Sequence, residues 1–311
     1  MLEKRYLDYA LVLKQQFSER VQKISINAGF TCPNRNGEKG IGGCTYCNNQ
    51  SFLPEYCRPQ KSITQQLEEG ILFFHHKYQS QKYLAYFQSY TNTYGTLSHL
   101  KNIYEEALRV PNVVGIVIGT RPDCVSDALL DYLADIAKEK YVMIEYGIES
   151  TSNKTLNFIN RGHNYEDAVI AIEKTAKRDI LTCAHLILGL PNESKSQLLL
   201  HANELSKLPI NVLKLHQLQI VKGTRMAEQF KAHPEWFSLF SAEEYIDLVI
   251  DFLERLNPNI AIERFISQSP KELLLAPDWG LKNFEFVAKI DKRMQQRNTF
   301  QGRLYQPSTK H

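Results

Sequence analysis

The sequence predicts an α/β protein whose core is a partial (β/α)6, TIM-like barrel, followed by a C-terminal extension of helices and a strand. Short runs rich in β-branched and aromatic residues alternate with longer segments of helical period, and this alternation is typical of βαβ units and a parallel sheet. The connections between the units are short and rich in turn residues. The chain has 311 residues, 43% of them hydrophobic, which is enough for one large core.

Six candidate strands open the successive units, at residues 23–28, 83–89, 113–119, 141–149, 181–189 and 212–220. A helix is predicted before the first strand, and five more lie between the strands, at residues 62–78, 97–108, 126–140, 165–178 and 194–207. Ser126 and Ser194 are predicted to be N-caps, because a serine hydroxyl can accept a hydrogen bond from a free backbone N–H of the first turn.

The regular alternation of predicted strands and helices ends after residue 220. A helix is predicted over 242–256, a strand over 260–266 and a second helix over 281–296. We therefore expect residues 1–222 to form the barrel core with its N-terminal helix, and residues 223–311 to pack on it as an extension within one domain. In a parallel α/β barrel the reactive groups gather at the C-terminal ends of the strands.

Three cysteines, Cys32, Cys44 and Cys47, lie in the loop after the first predicted strand. Four protein ligands close a structural zinc site, so three leave a coordination position open. If Cys57 supplies a fourth ligand, the site is structural zinc or an electron-carrying iron–sulfur cluster. The position at the catalytic face favours a cluster with one open iron, and we expect Cys57 to be an ordinary loop thiol.

Composition limits the class of protein only loosely. Lys plus Arg (37) nearly balances Asp plus Glu (34), so the net charge of +3 does not indicate a nucleic-acid partner. Six cysteines in a chain of this length fit a reducing compartment better than a disulfide framework. The N-terminal apolar run is short and interrupted by charges, so we expect a cytoplasmic protein without a membrane segment.

The cysteine loop, with the spacing C-x11-C-x2-C and Tyr46 just before the last cysteine, resembles that of radical S-adenosylmethionine (SAM) enzymes. The runs GTRPD at 119–123 and NRGH at 160–163 are similar to the branch that includes the catalytic subunit of Elongator. The runs GFTCPNRNG, YFQSYTNTY, KLHQLQIVKGT, LLLAPDW and QGRLY are similar to a set of bacterial radical SAM proteins of this length with no assigned substrate.

The resemblance implies that Cys32, Cys44 and Cys47 ligate a [4Fe-4S] cluster. In such enzymes the amino and carboxylate groups of SAM chelate the open iron. An electron from the cluster then cleaves a carbon–sulfur bond to give a 5'-deoxyadenosyl radical, and the protein positions the cofactor. A low-potential electron donor of the flavodoxin or ferredoxin type is the implied partner.

The resemblance also implies contacts to SAM. Tyr46 is expected at the adenine. Ser89, Thr91 and Asn92 occupy the place of a Gly-Gly-Glu-like segment that meets the methionine ammonium, and their neutral oxygens can accept the same hydrogen bonds.

Four residues farther along the chain match SAM-binding positions. Glu149 matches a carboxylate that accepts hydrogen bonds from the ribose hydroxyls. Arg161 matches the arginine that pairs with the methionine carboxylate, a role suited to a planar guanidinium. Gly189 and Leu190 match a motif in which the backbone passes close to the adenine.

The residues that act on the substrate are less clearly indicated. His185 and His216 lie inside predicted strands and are candidates for proton carriers or substrate contacts, although a buried core histidine is the commoner case. Cys124 is a candidate hydrogen-atom donor. Cys124 and Cys183 also fit inert buried thiols.

The substrate expectation rests on the tail and on the Elongator resemblance. Residues 289–311 carry six basic residues against Asp291, namely Lys289, Lys292, Arg293, Arg297, Arg303 and Lys310. Such an excess can attract phosphates, so tRNA modification is the leading expectation. A small metabolite or a peptide is the alternative substrate, and a zinc-stapled binding protein without catalysis is the alternative from another class.

Overall fold

A computed structural model describes residues 4–48, 53–75 and 81–307. Its strands are β1 (Val21–Ile26), β2 (Lys82–Phe87), β3 (Val113–Thr120), β4 (Tyr141–Glu149), β5 (Leu181–Leu188), β6 (Val212–Gln217), β7 (Ile220–Val221), β8 (Ala261–Arg264) and β9 (Leu274–Ala276). Its α-helices are α1 (Tyr9–Phe17), α2 (Ile63–His75), α3 (Leu97–Leu108), α4 (Asp127–Ala137), α5 (Asn153–Phe158), α6 (Tyr165–Ala176), α7 (Lys195–Leu205), α8 (Arg225–Ala232), α9 (Ala242–Leu253) and α10 (Asn283–Gln296).

The central sheet has the order β1-β2-β3-β4-β5-β6-β8, and every neighbouring pair in it is parallel. The sheet curls into a half-barrel with helices on its outer side, as the alternating sequence pattern predicts. The fold class is confirmed, with one addition. The predicted strand at 260–266 shortens to β8 and joins β6 as a seventh parallel strand.

The two faces of β4 explain how the sequence builds both a core and a site. Val142, Ile144, Tyr146 and Ile148 pack with the outer helices in the main hydrophobic core. The alternate residues face the barrel interior, because successive side chains of a strand point to opposite faces. They run from Tyr141 and Met143 through Glu145 and Gly147 to Glu149. Charged groups therefore enter the interior only in the C-terminal half of the strand.

The base of the half-barrel is filled by an apolar cluster that includes Tyr9 and Leu13 of α1. These two side chains pack with Met143, Cys183 and other inward-facing residues of the sheet. The hydroxyl groups of Tyr9 and Tyr141 lie 2.7 Å apart within this cluster. The N-terminal helix therefore closes the end of the barrel opposite the C-terminal ends of the strands.

Contacts between the first and last strands close the open side of the half-barrel. Nζ of Lys23 in β1 lies 2.6 Å from Oε2 of Glu263 in β8. The N-terminal segment adds a parallel backbone bridge between Asp8 and Ile262. The interior is therefore enclosed laterally as well as at its base.

The C-terminal segment differs from the prediction in its details. The strand predicted over 212–220 ends at Gln217, and Ile220–Val221 instead pairs antiparallel with β9. The short helices α5 and α8 were not predicted. Because β8 belongs to the main sheet, part of the expected extension completes the half-barrel. The division at residue 222 stays a prediction.

The predicted helix starts agree with the structure. The hydroxyl of Ser126 accepts a hydrogen bond from the backbone N–H of Leu129 at 3.2 Å. Ser194 and Gln197 form a reciprocal capping box at the start of α7. The helix predicted over 62–78 is observed over Ile63–His75, and its last three predicted residues lie outside the described residues. Within the described residues, no helix has the length and apolar character needed to cross a bilayer.

Candidate active site

One cavity opens among the C-terminal ends of the strands, with a volume of about 220 Å³. This is the edge where a parallel α/β barrel collects its reactive groups. The cavity is lined by Cys32, Arg35, Cys44, Tyr46, Cys47, Tyr86, Gln88, Tyr90, Thr91, Gly119, Thr120, Arg121, Glu145, Gly147, Glu149, Arg161, His185, Ile187, His216, Gln217, Leu218, Gln219, Val221, Arg264, Ser267 and Ser269.

The three cysteines of the loop all line this cavity. Their loop is held by neighbouring elements. The carbonyl oxygen of Gly43 accepts hydrogen bonds from Arg225 Nη2 at 2.6 Å and from Asn160 Nδ2 at 2.8 Å. The backbone of Thr45 pairs with that of Ile159 and of Met226, each at 2.9 Å. Both α8 and the turn after α5 therefore fix the cysteine loop against the barrel.

The three loop sulfurs are not gathered within the radius of a single ion. The described part of the chain contains one set of three metal-binding side chains with ligand atoms within 4.8 Å of one another, and it does not include these cysteines. At least one pair of the loop sulfurs is therefore more than 4.8 Å apart.

Cationic and polar groups surround the thiols. Nη1 of Arg161 lies 3.4 Å and Nδ2 of Asn34 lies 3.6 Å from the sulfur of Cys44. Burial raises the pKa of the Cys47 thiol, as does the neighbouring Cys44, and the Arg35 guanidinium opposes both effects. Metals bind the thiolate form, which these two arginines favour.

Cys57 lies apart from the cavity. Its thiol donates a hydrogen bond to the backbone oxygen of Ser25 at 2.9 Å. It is 5% exposed and packs in the main core. Burial raises the pKa of this thiol to about 12, so it stays protonated at neutral pH. Cys57 therefore lies apart from the three loop cysteines, and its exclusion from the metal ligands stays a prediction.

The end of β4 is irregular, and it brings Glu149 and Arg161 together. Oε1 of Glu149 lies 3.8 Å from Nη2 of Arg161, which also donates to the backbone oxygen of Gly147 at 2.6 Å. Glu149 has a φ of 70°, and the pairing with β5 shifts register between Gly147 and Glu149. A non-glycine residue in the left-handed backbone region, next to a β-bulge, carries local backbone strain. Such strained residues are often found at functional sites.

Residues 89–92 divide between the cavity and the scaffold. Thr91 lines the cavity, and its buried hydroxyl has no hydrogen-bond partner among the described residues. The hydroxyl of Ser89 is also buried and unpaired, but Ser89 does not line the cavity. Asn92 is fully buried, and its Nδ2 donates to the backbone oxygens of Phe87 at 3.0 Å and Gly119 at 2.8 Å. Asn92 thus joins β2 to β3.

Tyr46 lines the cavity, whereas Gly189 and Leu190 do not. Gly189 has a φ of 94°, and a Cβ atom there would lie 3.1 Å from Phe240, so the backbone itself requires glycine. Leu190 is buried in the apolar cluster that also packs against Tyr46. The contacts of Gly189 and Leu190 to adenine stay predictions.

A buried charged layer crosses the barrel below the cysteines. We use this name for Lys23, Glu145, Lys214 and Glu263. Nζ of Lys214 lies 2.7 Å from both carboxylate oxygens of Glu145. Nζ of Lys23 lies 2.7 Å from Glu145, and Nζ of Lys214 lies 3.2 Å from Glu263. Lys23 also pairs with Glu263, so each of the two lysines pairs with both Glu145 and Glu263.

His185 lies on the charged layer, with Nε2 2.9 Å from Oε2 of Glu145. Burial lowers its pKa despite that carboxylate. Glu145, Cys183 and His185 form the set of close metal-binding side chains mentioned above. Two lysine ammonium groups already bind Glu145, and burial raises the pKa of the Cys183 thiol well above its usual value. This environment disfavours a cation, and Cys183 fits the inert buried thiol.

His216 follows on β6 and meets Arg264 at the end of β8. Nη2 of Arg264 lies 2.6 Å from Nε2 of His216. Burial and the Arg264 guanidinium hold the pKa of His216 well below its usual value, so its imidazole is neutral. The rings of His185 and His216 lie 5.6 Å apart, and both line the cavity.

Cys124 is not brought to these histidines. It does not line the cavity, and its sulfur lies 3.7 Å from Oδ1 of Asp123, which pairs with Arg121 at 2.9 Å. Burial raises the pKa of the Cys124 thiol to about 12. Its assignment as a hydrogen-atom donor stays a prediction that the geometry does not favour.

Sequence reasoning missed several cavity residues. Glu145 and Lys214 are charged residues inside apolar strands, and that placement was the available signal. Arg264 lies within a strand that was predicted, but its position at the cavity depends on the pairing of β8 with β6. Arg35 and Tyr90 lie within the GFTCPNRNG and YFQSYTNTY runs, but nothing in those runs assigned either side chain to the cavity.

The basic tail is offset by acidic residues of α9 and its C-terminal turn. The ion pairs join Lys289 to Glu243, Arg293 to Glu243 and Asp247, Arg297 to Asp251, and Arg303 to Glu254. Lys310 lies outside the described residues. The local excess of positive charge in the sequence is therefore largely compensated in the fold, which removes the charge argument for a phosphate-binding tail.

Comparison with known proteins gives three results. The uncharacterized protein YtqA of Bacillus subtilis (strain 168) is 33% identical over 304 residues, covering 98% of this chain and 94% of that protein. A partial match to the tRNA uridine(34) acetyltransferase of Methanocaldococcus infernus is 25% identical over 148 residues, covering 47% of this chain and 27% of that protein. The structure of M. infernus Elp3 with an N-terminal deletion has a TM-score of 0.69 at 15% identity, covering 90% of this chain.

The Elp3 likeness shows the fold, and this chain spans 64% of the length of that structure. Two family models match in succession. The model described as the Radical_SAM C-terminal domain matches residues 210–296. The model described as the radical SAM superfamily matches residues 27–205, more than half of the chain. With its three cysteines at the mouth of a parallel half-barrel, this chain belongs to the radical SAM superfamily.

Proposed function

We propose that this enzyme holds a [4Fe-4S] cluster through Cys32, Cys44 and Cys47 and binds SAM in the adjoining cavity. Proteins of the radical SAM family bind both groups. When bound, the cluster supplies the electron that cleaves SAM reductively to a 5'-deoxyadenosyl radical. The observation that carries the proposal is the presence of three cysteines, without Cys57, on one cavity that also holds Arg161 and Glu149.

Arg161 and Glu149 suit the two ends of SAM. Arg161 is anchored by the backbone of Gly147 and the sulfur of Cys44, while its buried Nε has no acceptor within the described ranges. An unpaired buried donor is unfavourable, so a carboxylate from a ligand would stabilise it. Glu149, whose side chain is 13% exposed, can accept hydrogen bonds from ribose hydroxyls.

The unpaired hydroxyls of Thr91 and Ser89 suit an ammonium group. Both are buried without a hydrogen-bond partner in the described part of the chain, and a hydroxyl oxygen accepts hydrogen bonds from a cationic donor. Thr91 lines the cavity, so it is the better placed of the two. Tyr46 offers the apolar ring face that an adenine would contact.

The electron enters from a donor of the flavodoxin or ferredoxin type. Cys32 and Cys47 are only partly buried, and Arg35 beside them is exposed. This exposed side of the loop is where we expect the donor to bind, because acidic carriers are attracted by a basic surface residue.

Anaerobic reconstitution tests the proposal. The purified protein should contain iron and sulfide, and it should form 5'-deoxyadenosine when SAM and a low-potential reductant are added. Cys44→Ala should lose both iron and 5'-deoxyadenosine. Cys57→Ala is the matched control, since it removes the same atom from a site outside the cavity, and it should retain both. Zinc without iron in the native protein would refute the proposal in favour of a zinc-stapled binding protein.

The substrate is a separate question, and tRNA is one candidate. The partial likeness to a tRNA uridine(34) acetyltransferase supports it, whereas the ion-paired tail does not. Comparison of modified nucleosides in tRNA from cells with and without the gene tests this candidate. An unchanged nucleoside profile would refute it and favour a small metabolite or a peptide.

A further inference from the structure

Arg264 is a cavity arginine that the binding of SAM does not require. Its Nη2 meets neutral His216, and its buried Nε has no hydrogen-bond partner in the part of the chain that the structure describes. Among residues 4–48, 53–75 and 81–307, no carboxylate lies within ion-pair distance of its guanidinium. A cation this poorly compensated, partly buried against the neutral ring of His216, is unfavourable in the free protein.

The charges around Arg264 are otherwise balanced. In the charged layer, Lys23 and Lys214 face Glu145 and Glu263, two cations against two carboxylates. At the SAM end of the cavity, Arg161 pairs with Glu149, and Arg121 pairs with Asp123. His185 and His216 have lowered pKa values and are neutral. The inner part of the cavity therefore has one positive charge in excess, on Arg264.

The position of Arg264 is fixed by the local fold. The register shift between β6 and β8 lets Glu263 and Arg264, which are consecutive, both contact groups in the barrel interior. Beyond β8, Nε2 of Gln217 donates to the backbone oxygen of Ser267 at 2.8 Å, and the N–H of Ser267 donates to Oε1 of Gln217 at 2.9 Å. A guanidinium held in this way needs little further ordering to bind a ligand.

Strand register places Arg264 deeper than the SAM end of the cavity. Arg264 is the register partner of Lys214, Lys214 of His185, and His185 of Gly147. Across the register shift in β4, Glu149 lies opposite Leu186, one residue beyond His185, or about 3.3 Å farther toward the mouth. Arg264 therefore lies on the inner side of the level at which Glu149 would meet the ribose of SAM.

We propose that Arg264, with His216 beside it, binds an anionic group of the substrate, a carboxylate or a phosphate. The inference rests on the proposed function, because it assigns the charge of the molecule on which that reaction acts. A planar guanidinium donates two parallel hydrogen bonds to either kind of anion. Neutral His216 can donate a hydrogen bond to the same anion without adding charge.

Anion-dependent stabilisation tests the inference without any turnover. The reconstituted enzyme with SAM and no reductant would be melted in sodium acetate, in inorganic phosphate and in sodium chloride of equal ionic strength, with acetamide as the neutral probe. An anion at tenfold its dissociation constant should raise the melting temperature by about 2 °C relative to chloride. The anion with the larger effect, acetate or phosphate, identifies the class of the substrate group.

Arg264→Gln should abolish this increase. Arg109→Gln is the matched control, because it removes the same charge from a side chain that is 73% exposed and lies outside the cavity, and it should keep the full increase. If Arg264→Gln loses iron, Arg264→Lys provides the second variant, which keeps the charge but should weaken the response because it lacks the guanidinium. Equal melting in all four solutes, or an unchanged increase in Arg264→Gln, would overturn the inference.

The two proposals fail separately. Native enzyme that binds the anion but forms no 5'-deoxyadenosine with SAM and reductant would refute the proposed function and leave the anion site intact. Native enzyme that cleaves SAM but shows no anion response would refute only the inference.

Discussion

Replacing Lys214 with methionine should destabilise the protein by about 3–5 kcal/mol, because it breaks a buried ion pair by removing one partner. Nζ of Lys214 lies 2.7 Å from both oxygens of Glu145, and the two side chains are 3% and 0% exposed. Methionine keeps most of the aliphatic stem, so the change isolates the charge and its hydrogen bonds. Glu145 would retain Lys23 and His185 as partners.

The melting temperature gives the measurable magnitude. An unfolding entropy of about 2.1 cal/mol/K per residue amounts to roughly 0.65 kcal/mol/K for a chain of 311 residues. The melting temperature of Lys214→Met, followed by circular dichroism, should therefore fall by about 5–8 °C. The double variant Lys214→Met/Glu145→Leu should recover part of that loss, because an apolar pair can replace a buried ion pair without a large penalty.

Acid sensitivity provides a second readout of the same variant. Burial opposes the ionisation of Glu145, but Lys214 and Lys23 outweigh it and hold its pKa well below the usual value. This carboxylate therefore stabilises the fold above its unfolded-state pKa of about 4.3, and the contribution is lost as the pH falls toward the lower folded value. In Lys214→Met the folded-state pKa of Glu145 rises toward the unfolded value, so the loss should be smaller and should end at a higher pH. A fall of less than about 2 °C at neutral pH, or a double variant less stable than Lys214→Met, would refute the reasoning.

Three further outcomes are expected. Gly147→Ala would place a Cβ atom 2.6 Å from Nη2 of Arg161, so SAM affinity measured by calorimetry should fall while the iron content is retained. Arg264→Gln should raise the pKa of His216 in an NMR titration, since the positive charge that helps to lower it is removed. Ser150→Ala deletes a hydroxyl that donates a hydrogen bond to Oε1 of buried Glu193 at 2.5 Å. Urea denaturation should show that the free energy of unfolding falls by about 1–3 kcal/mol. Unchanged values in these three experiments would contradict the corresponding contacts.

The order of elements could be predicted because each unit of a parallel half-barrel has a local signature. The buried strands appear as apolar runs, and Ser126 and Ser194 mark helix starts with a side chain that acts within its own turn. The seventh strand shows the limit of such reasoning. Its residues were recognised as a strand, but its pairing with β6 depends on a packing partner about 50 residues away in sequence.

The candidate site was predictable where neighbouring residues act together. Cys44 and Cys47 lie in one short loop, so their spacing alone indicated a metal site. The charged layer could not be found in this way, because Lys23 and Glu263 are 240 positions apart and meet only when the sheet curls. Asn92 was placed in the site with its neighbours; its Nδ2 joins two strands, its buried Oδ1 has no hydrogen-bond partner among the described residues, and its contact to SAM stays a prediction.

Tyr9 and Leu13 pack with the inward-facing residues of the sheet and close the base of the half-barrel. Because the base of the half-barrel is closed, every reactant and product must enter and leave at the C-terminal ends of the strands.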